Sequence, residues 1–333
     1  MPKICYKSFM PKYKKKNKNI NYDMGENLQE TTTTNHINWF PGHMNKAIRQ
    51  IKERIKKVDI ILEIRDARSP LVTGNKEVHK AIGPDKCRLI VINKLNLANL
   101  DVVKKWEAWF ETQGVPYLFI NGLNKSTINK VVEVARQTVF DKKLISNPDF
   151  SEEKAKKIRM MIIGLPNTGK STIINMLANR NASKAADTPG QTRQQLWIRV
   201  DQDIEMLDTP GIMPPKIEKH EHGLWLAALH AIPATVVAPE MSACFIVEYM
   251  LETKNKYFQD RFKFEDLNID LITALDHIAK IRGCIQQKGQ SDYDRVYRLL
   301  LSDFRDGTLG PISFGVPPLP KGIKQKPQGD NNE

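Results

Sequence analysis

Residues 164–172, Gly-Leu-Pro-Asn-Thr-Gly-Lys-Ser-Thr, constrain this chain more than any other stretch. They read G-x-x-x-x-G-K-[ST], a loop whose backbone N–H groups turn inward and cradle phosphates. The apolar run Met160-Met161-Ile162-Ile163 leads in and predicts a buried strand. Residues 172–178 lead out and predict a helix. That strand–loop–helix setting separates a phosphate site from an ordinary glycine turn. Gly164 and Gly169 permit the tight backbone path, and the helix N-terminus adds partial positive charge. Lys170 is expected to reach the terminal phosphates. Asn167, Thr168, Gly169 and Thr172 would line the cradle, and Ser171 would hold Mg2+.

A chain of 333 residues is long enough for two domains, each with its own core. With 41% hydrophobic and 27% charged residues, its composition is that of a soluble globular protein. No apolar run approaches the roughly 18 residues of a membrane span, so any membrane contact would be peripheral. The net charge is +13, and its placement is uneven. Residues 1–58 hold 13 Lys and Arg against 4 Asp and Glu, whereas residues 240–333 hold 13 against 14. The basic excess is N-terminal and points to a polyanionic partner such as RNA, or to a targeting segment. Cys5, Cys87, Cys244 and Cys284 have neither metal-ligand spacing nor a secreted disulfide pattern, which favours a reducing compartment.

Residues 1–36 are lysine- and asparagine-rich, with too few large apolar residues to offset the entropy of ordering. They are expected to be disordered, and their first twenty residues contain no acid, which leaves a targeting role open. Asn38-Trp39-Phe40-Pro41-Gly42-His43-Met44 is an aromatic turn feeding an amphipathic helix through Met44, Ala47, Ile48, Ile51, Ile55 and Val58. Strands are expected at residues 60–64, 88–92 and 117–120. Helices are expected from Asp101, as cap, to Gly114, and at 126–137. Strands alternating with helices predict a parallel α/β sheet, helices on both faces, with its ligand at the strand C-termini. Residues 141–157 form a charged linker, residues 223–232 a helix, and Pro233 and Pro239 a hinge. The expected division is a basic segment 1–36, a nucleotide-binding domain 37–232, an all-helical domain 233–315 and a flexible tail 316–333.

Asp208-x-x-Gly211 at a strand end is suited to sensing Mg2+ and the γ-phosphate, with Thr192 completing the Mg2+ shell. Asn93-Lys94-x-Asn96 at another strand end resembles the guanine-reading N-K-x-D of GTPases, and Asn121-Gly122 follows the next strand. Here the base motif precedes the P-loop, as in circularly permuted GTPases. Taken together with residues 38–44, Asp66-Ala67-Arg68-Ser69-Pro70, Leu207-Asp208-Thr209-Pro210-Gly211-Ile212 and Asp303-Phe304-Arg305-Asp306-Gly307, the chain closely resembles the YlqF/RbgA family over about residues 37–315. The resemblance implies a Ras-like, circularly permuted P-loop GTPase that binds GTP and Mg2+. It implies action late in assembly of the large ribosomal subunit, with the helical domain on ribosomal RNA. A monomer is expected. The eukaryotic branch of the family implies a mitochondrial location, in the matrix or on the matrix side of the inner membrane, with the cytoplasm as the alternative.

Three positions qualify that picture. Ras-like GTPases carry a water-orienting glutamine after D-x-x-G, and here Ile212 stands there. The resemblance supplies His43 as the group that orients water instead. Asn167 matches the P-loop asparagine that helps bind K+ in potassium-stimulated GTPases. Asn96 replaces the aspartate that accepts both guanine donors, so one of its donors faces another donor, at a cost of roughly 1–3 kcal/mol. The competing reading is a ribosome- or RNA-docking scaffold with degraded guanine specificity and little hydrolysis.

Overall fold

Short runs of aliphatic and β-branched residues form the strands of the structure, a computed structural model. It describes residues 37–38, 49, 51–83, 86–148, 157–178, 197–201, 203–209, 211, 216–217, 219–287 and 289–318. The strands are β1 (Ile37–Asn38), β2 (Ile60–Asp66), β3 (Cys87–Asn93), β4 (Tyr117–Phe119), β5 (Ile158–Gly164), β6 (Trp197–Asp201), β7 (Ile204–Leu207) and β8 (Lys216–Ile217). The helices are α1 (Lys76–Ile82), α2 (Leu100–Glu111), α3 (Lys125–Ser146), α4 (Lys170–Leu177), α5 (His220–Ala228), α6 (Pro239–Glu252), α7 (Lys256–Phe262), α8 (Leu271–Arg282) and α9 (Tyr293–Asp306). Residues 51–55 are also helical.

Six strands form one sheet in the order β4-β3-β2-β5-β7-β6, parallel except for the edge strand β6. The P-loop strand β5 lies at an inner position. Strands earlier in sequence flank it on one side and strands later in sequence on the other, which is the reversed order expected of the permutation. β2 is buried at all seven positions, as a parallel strand covered on both faces must be. Ile60, Leu62 and Ile64 pack with Ile128, Val131 and Ala135 of α3 and Ile173 of α4. On the opposite face Ile61, Met161, Ile163 and Leu207 pack with Ile51, Ile55 and Val78. Each such side chain contributes about 2 kcal/mol by leaving water.

Three expectations change: the helix expected at 223–232 spans His220–Ala228 instead, and His230 beyond it takes φ 60°. The cap of α2 is Asn99, not Asp101: its Oδ1 accepts from the N–H groups of Asp101 and Val102 at 3.0 and 3.2 Å. An Asn one residue before the helix reaches those amides, whereas Asp101 is already inside the first turn. The expected linker at 141–157 is helical over its first part, because α3 continues to Ser146. Val139 is still buried under the sheet, and Lys143 pairs with Asp59 at 3.8 Å, so the helix keeps partners beyond residue 137. Residues 149–156 lie outside the described residues, as do 1–36 and 319–333.

Helices α5 to α9 share one buried cluster, which includes Trp225, Phe245, Phe258, Ile278, Leu300, Phe304 and Phe314. Leu165 of the P-loop belongs to it as well. The chain returning from α9 is stitched to the loops after β2 and β3. The Ile312 N–H donates to Leu97 O at 3.0 Å, the Asn99 N–H to Ser313 Oγ at 3.0 Å, and the Phe314 N–H to Arg68 O at 2.6 Å. Arg68, 1% exposed, donates through Nε and Nη2 to the two oxygens of Asp66 at 3.0 and 2.9 Å. Its Nη1 donates to Phe304 O at 3.3 Å, and its guanidinium lies 5.0 Å from the Phe304 ring centroid. Burial alone would raise the Asp66 pKa, but Arg68 and Lys94 bring it down to about 2. Removing one partner of a buried pair strands the other. Arg68→Ala is therefore expected to lower stability by about 3 kcal/mol, read from urea denaturation at neutral pH; a loss within the scatter of surface mutations would contradict this account.

Candidate functional site

Parallel strands end at one edge of the sheet, and the residues singled out from the sequence gather there. The register sets Asp66 opposite Asn93 and Ile64 opposite Gly164. The base motif and the P-loop thus lie on either side of the end of β2. Asn93 closes the gap between them. Its Nδ2 donates to Thr168 O at 3.0 Å and its Oδ1 accepts from the Gly122 N–H at 2.8 Å, in a 3% exposed position. One side chain joins three loops.

Gly169 caps α4 with φ 98°, and a Cβ there would collide with the Asn93 amide. Only glycine fits this approach. Thr168 Oγ1 and Lys170 Nζ both donate to Leu165 O, at 2.9 and 2.8 Å. Ser171 is exposed and Thr172 half-buried in the first turn of α4. Gly211 lies against the other side of the P-loop, where a Cβ would fall 2.9 Å from Pro166. Lys94, at φ 65°, reaches Asp66 Oδ2 at 3.1 Å and donates to Asn167 O. Asn121 Oδ1 accepts from the Leu123 N–H at 3.1 Å, and Asn96 is exposed on the short turn that follows β3.

The charges of the site respond to burial. Lys170 is brought down to about 8 by desolvation, which the nearby Asp208 only partly opposes. Burial pushes Asp208 up, against the pull of the Thr209 N–H, Lys170 and Arg54. A desolvated lysine and a desolvated carboxylate side by side suit a ligand that is itself anionic and carries a cation. Such a cradle can bind a polyphosphate with a divalent ion.

His43 and Thr192 lie outside the described residues. Asn93, Lys94, Gly122 and residues 167–170 meet around the ends of β2 and β5, with Gly211 against Pro166 and Asp208 acting on Lys170, while Asn96 and Asn121 lie on the turns after β3 and β4. Sequence reasoning missed two partners of the expected residues, the His230 carbonyl and Arg54. Asn167, at φ 58°, donates from Nδ2 to His230 O at 2.6 Å, so the end of the α5 segment holds the P-loop. Arg54 acts electrostatically on Asp208 from the helical residues 51–55. Neither had a signal in the sequence, since a carbonyl has no side-chain identity and Arg54 sits in a general run of cations.

The sheet order, the P-loop and the base loop ahead of it in sequence define a circularly permuted P-loop GTPase. Residues 159–272 match the family described as 50S ribosome-binding GTPase. Ribosome biogenesis GTPase A of Bacillus licheniformis is 36% identical over 286 residues, covering 84% of this chain and 98% of that protein. Mitochondrial ribosome-associated GTPase 1 of Xenopus tropicalis is 32% identical over 294 residues, covering 82% and 93%. The crystal structure of GNP-bound YlqF from T. maritima superposes with a TM-score of 0.57 at 25% identity, covering 81% of this chain and 98% of that one. The chain belongs to the ribosome biogenesis GTPase A family, YlqF/RbgA.

The Lys170 environment predicts a pH dependence. Its pKa is about 8 in the folded chain against an ordinary 10.5. Between these values the unfolded chain retains a proton that the folded chain has released, so stability rises with pH there. Denaturation midpoints are expected to gain across that window relative to a Lys170→Met variant. Parallel pH profiles for the two proteins would rule out the shift.

Proposed function

We propose that the chain hydrolyses GTP to GDP and phosphate as a switch in assembly of a large ribosomal subunit, the mitochondrial one. The observation that carries the reading is Asn93, whose two hydrogen bonds close base loop and phosphate loop into one pocket. Family membership supplies the ribosomal context. Guanine would lie against Lys94, Asn96, Asn121 and the N–H groups near Gly122. The triphosphate would follow residues 167–172, with Lys170 Nζ on its terminal phosphates and the Gly211 N–H at the γ-phosphate. Phosphate charge would favour the protonated lysine that burial disfavours.

The residues present fit Mg2+. Ser171 is exposed in the first turn of α4, and Asp208 is a carboxylate whose charge is disfavoured by burial. Mg2+ keeps several waters and needs few protein ligands, so these two with Thr192 and the phosphates would suffice. The ion neutralises charge on the phosphate oxygens when bound. Asn167 Oδ1 is the proposed oxygen for K+. His43 would orient the attacking water, whose oxygen bonds the γ-phosphorus as the bond to the β–γ bridging oxygen breaks. A neutral imidazole both accepts and donates, which an isoleucine at 212 cannot do.

We assign residues 37–232 to the GTPase unit and 233–315 to a helical unit that contacts ribosomal RNA. The chain would act as a monomer. The mitochondrial assignment is supported by mitochondrial relatives and by the basic segment 1–36; bacterial relatives keep a cytoplasmic location as the competing outcome. Asn96 favours a second reading, a docking scaffold with little hydrolysis.

Phosphate release from GTP, measured with and without large ribosomal subunits, separates the readings. Hydrolysis is expected to be slow alone and stimulated by the subunit. His43→Ala should remove the stimulation and spare nucleotide binding; an unchanged stimulated rate would exclude the role. Asn96→Asp should tighten GTP relative to xanthosine triphosphate by at least about fivefold, the lower end of the mismatch cost. Equal competition by the two nucleotides before and after the change would overturn the base-reading account.

A further inference from the structure

The edge of the sheet opposite the pocket carries a concentration of cations that nucleotide chemistry does not use. Val58 and Asp59 lead into β2, Lys86 into β3 and Lys157 into β5, so the N-terminal ends of three neighbouring strands meet here. Helix α3 runs back across the sheet and delivers Lys142 and Lys143 to the same edge. Lys143 stands 3.8 Å from Asp59, and both Asp59 and Lys142 act on the charge of Lys86. Asp59 is bound in turn to Arg159, whose N–H donates to Asp59 Oδ2 at 2.8 Å while the Asp59 N–H donates to Arg159 O at 2.7 Å. Lys56 and Lys57, both exposed, extend the surface at the end of the helical residues 51–55.

The acids here are mostly spoken for. Glu205 lies 3.4 Å from both Lys157 and Arg159, and Asp59 is engaged as described, while Asp203 is exposed. Among the described residues of this edge, cations outnumber acids; burial chiefly disfavours the charge of Lys86, Asp59 favours it, and Lys142 opposes it. A polyanion laid along the edge would favour these charges. The guanidinium of Arg159 is braced 5.4 Å from the Trp197 ring centroid, which fixes one charge at the rim.

We propose that this lower edge of the GTPase sheet docks on the phosphate backbone of RNA. It supplies a polyanion contact that residues 240–333, with 13 basic against 14 acidic side chains, do not advertise. The contact is sequence-independent, since it is made of lysines, of which Lys56, Lys57 and Lys157 are exposed, rather than of groups that read base edges. It leaves the pocket at the opposite edge open to nucleotide while the chain is bound. The inference deepens the ribosome-assembly reading and rests on it.

The test is a four-site variant of the full chain, Lys56→Gln, Lys57→Gln, Lys142→Gln and Lys157→Gln, compared with wild type. Binding is measured over a salt series to purified large ribosomal subunits, to a duplex RNA hairpin, and to vesicles of phosphatidylcholine with phosphatidylglycerol. Thermal unfolding and GTP affinity are followed in parallel. Binding to subunits and hairpin is expected to weaken at least about tenfold at moderate salt, with a log–log slope shallower by about three to four. Unfolding and GTP affinity should match wild type. Unchanged RNA binding, weaker binding at an unchanged salt slope, or a loss confined to the vesicles would each overturn the proposal. A variant that unfolds is replaced by the exposed pair Lys56→Gln and Lys57→Gln, expected to lower the slope by about two, with an unchanged slope counting against it. Should wild type itself fail to bind large subunits, the ribosomal reading falls, a result distinct from a variant that binds as wild type does.

Discussion

One buried amide holds the site together. Asn93 donates to the P-loop at Thr168 and accepts from Gly122, and it can do both because an amide carries a donor and an acceptor on one rigid plane. An aspartate has no donor for the Thr168 carbonyl, and a leucine has neither group. Left unpaired in this buried position, each of those backbone groups would cost about 1–3 kcal/mol. Without this link, the loops after β3, β4 and β5 would lose the side chain that bonds to two of them at once, and would keep only contacts such as Lys94 to Asn167 O and the Leu95 N–H to Ile120 O. With it they share one geometry, and Gly169 is required because the amide occupies the space of a side chain.

A second set of contacts ties that geometry to the helical region. Asp66 receives Arg68 and Lys94; Arg68 reaches the end of α9, and Lys94 reaches the P-loop. Asn167 holds His230 beyond α5, and Leu165 packs into the helical core. The nucleotide loop and the helices therefore touch through both polar and apolar groups. A change in the P-loop on binding or hydrolysis has contacts through which to reach α5 and α9, and the Asp208–Gly211 strand end leads by a short connection into α5. The direct bonding of the P-loop to the helices is stronger than a simple tether between two domains would require.

Much of the sheet was legible beforehand. β2, β3 and β5 are apolar runs of parallel-sheet type, and the phosphate loop has four defined positions with a known backbone consequence. The face of α9 follows its helical spacing: Val296, Leu300 and Phe304 are buried as their period demands. The end of α3 was not legible, because its last turns are polar and owe their order to Val139 on the sheet and Lys143 at Asp59. The α2 cap turned on which of two neighbouring polar residues has the extended backbone of a cap, and that is a matter of φ and ψ rather than of residue type.

By itself the sequence determined the elements with local causes: the strand–P-loop–helix unit, the alternation of strands and helices, and the reversed order of base and phosphate motifs. Only the tertiary structure decided what joins them. Asn93 to Gly122 and Thr168, Arg68 to Phe304 and Asn167 to His230 are contacts between residues distant along the chain, and each has a backbone group as a hydrogen-bond partner. Carbonyls and amides are present at nearly every position and have no residue identity, so no pattern of side chains announces them. They are selected when the sheet closes and strand register brings Asp66 beside Asn93 and Ile64 beside Gly164.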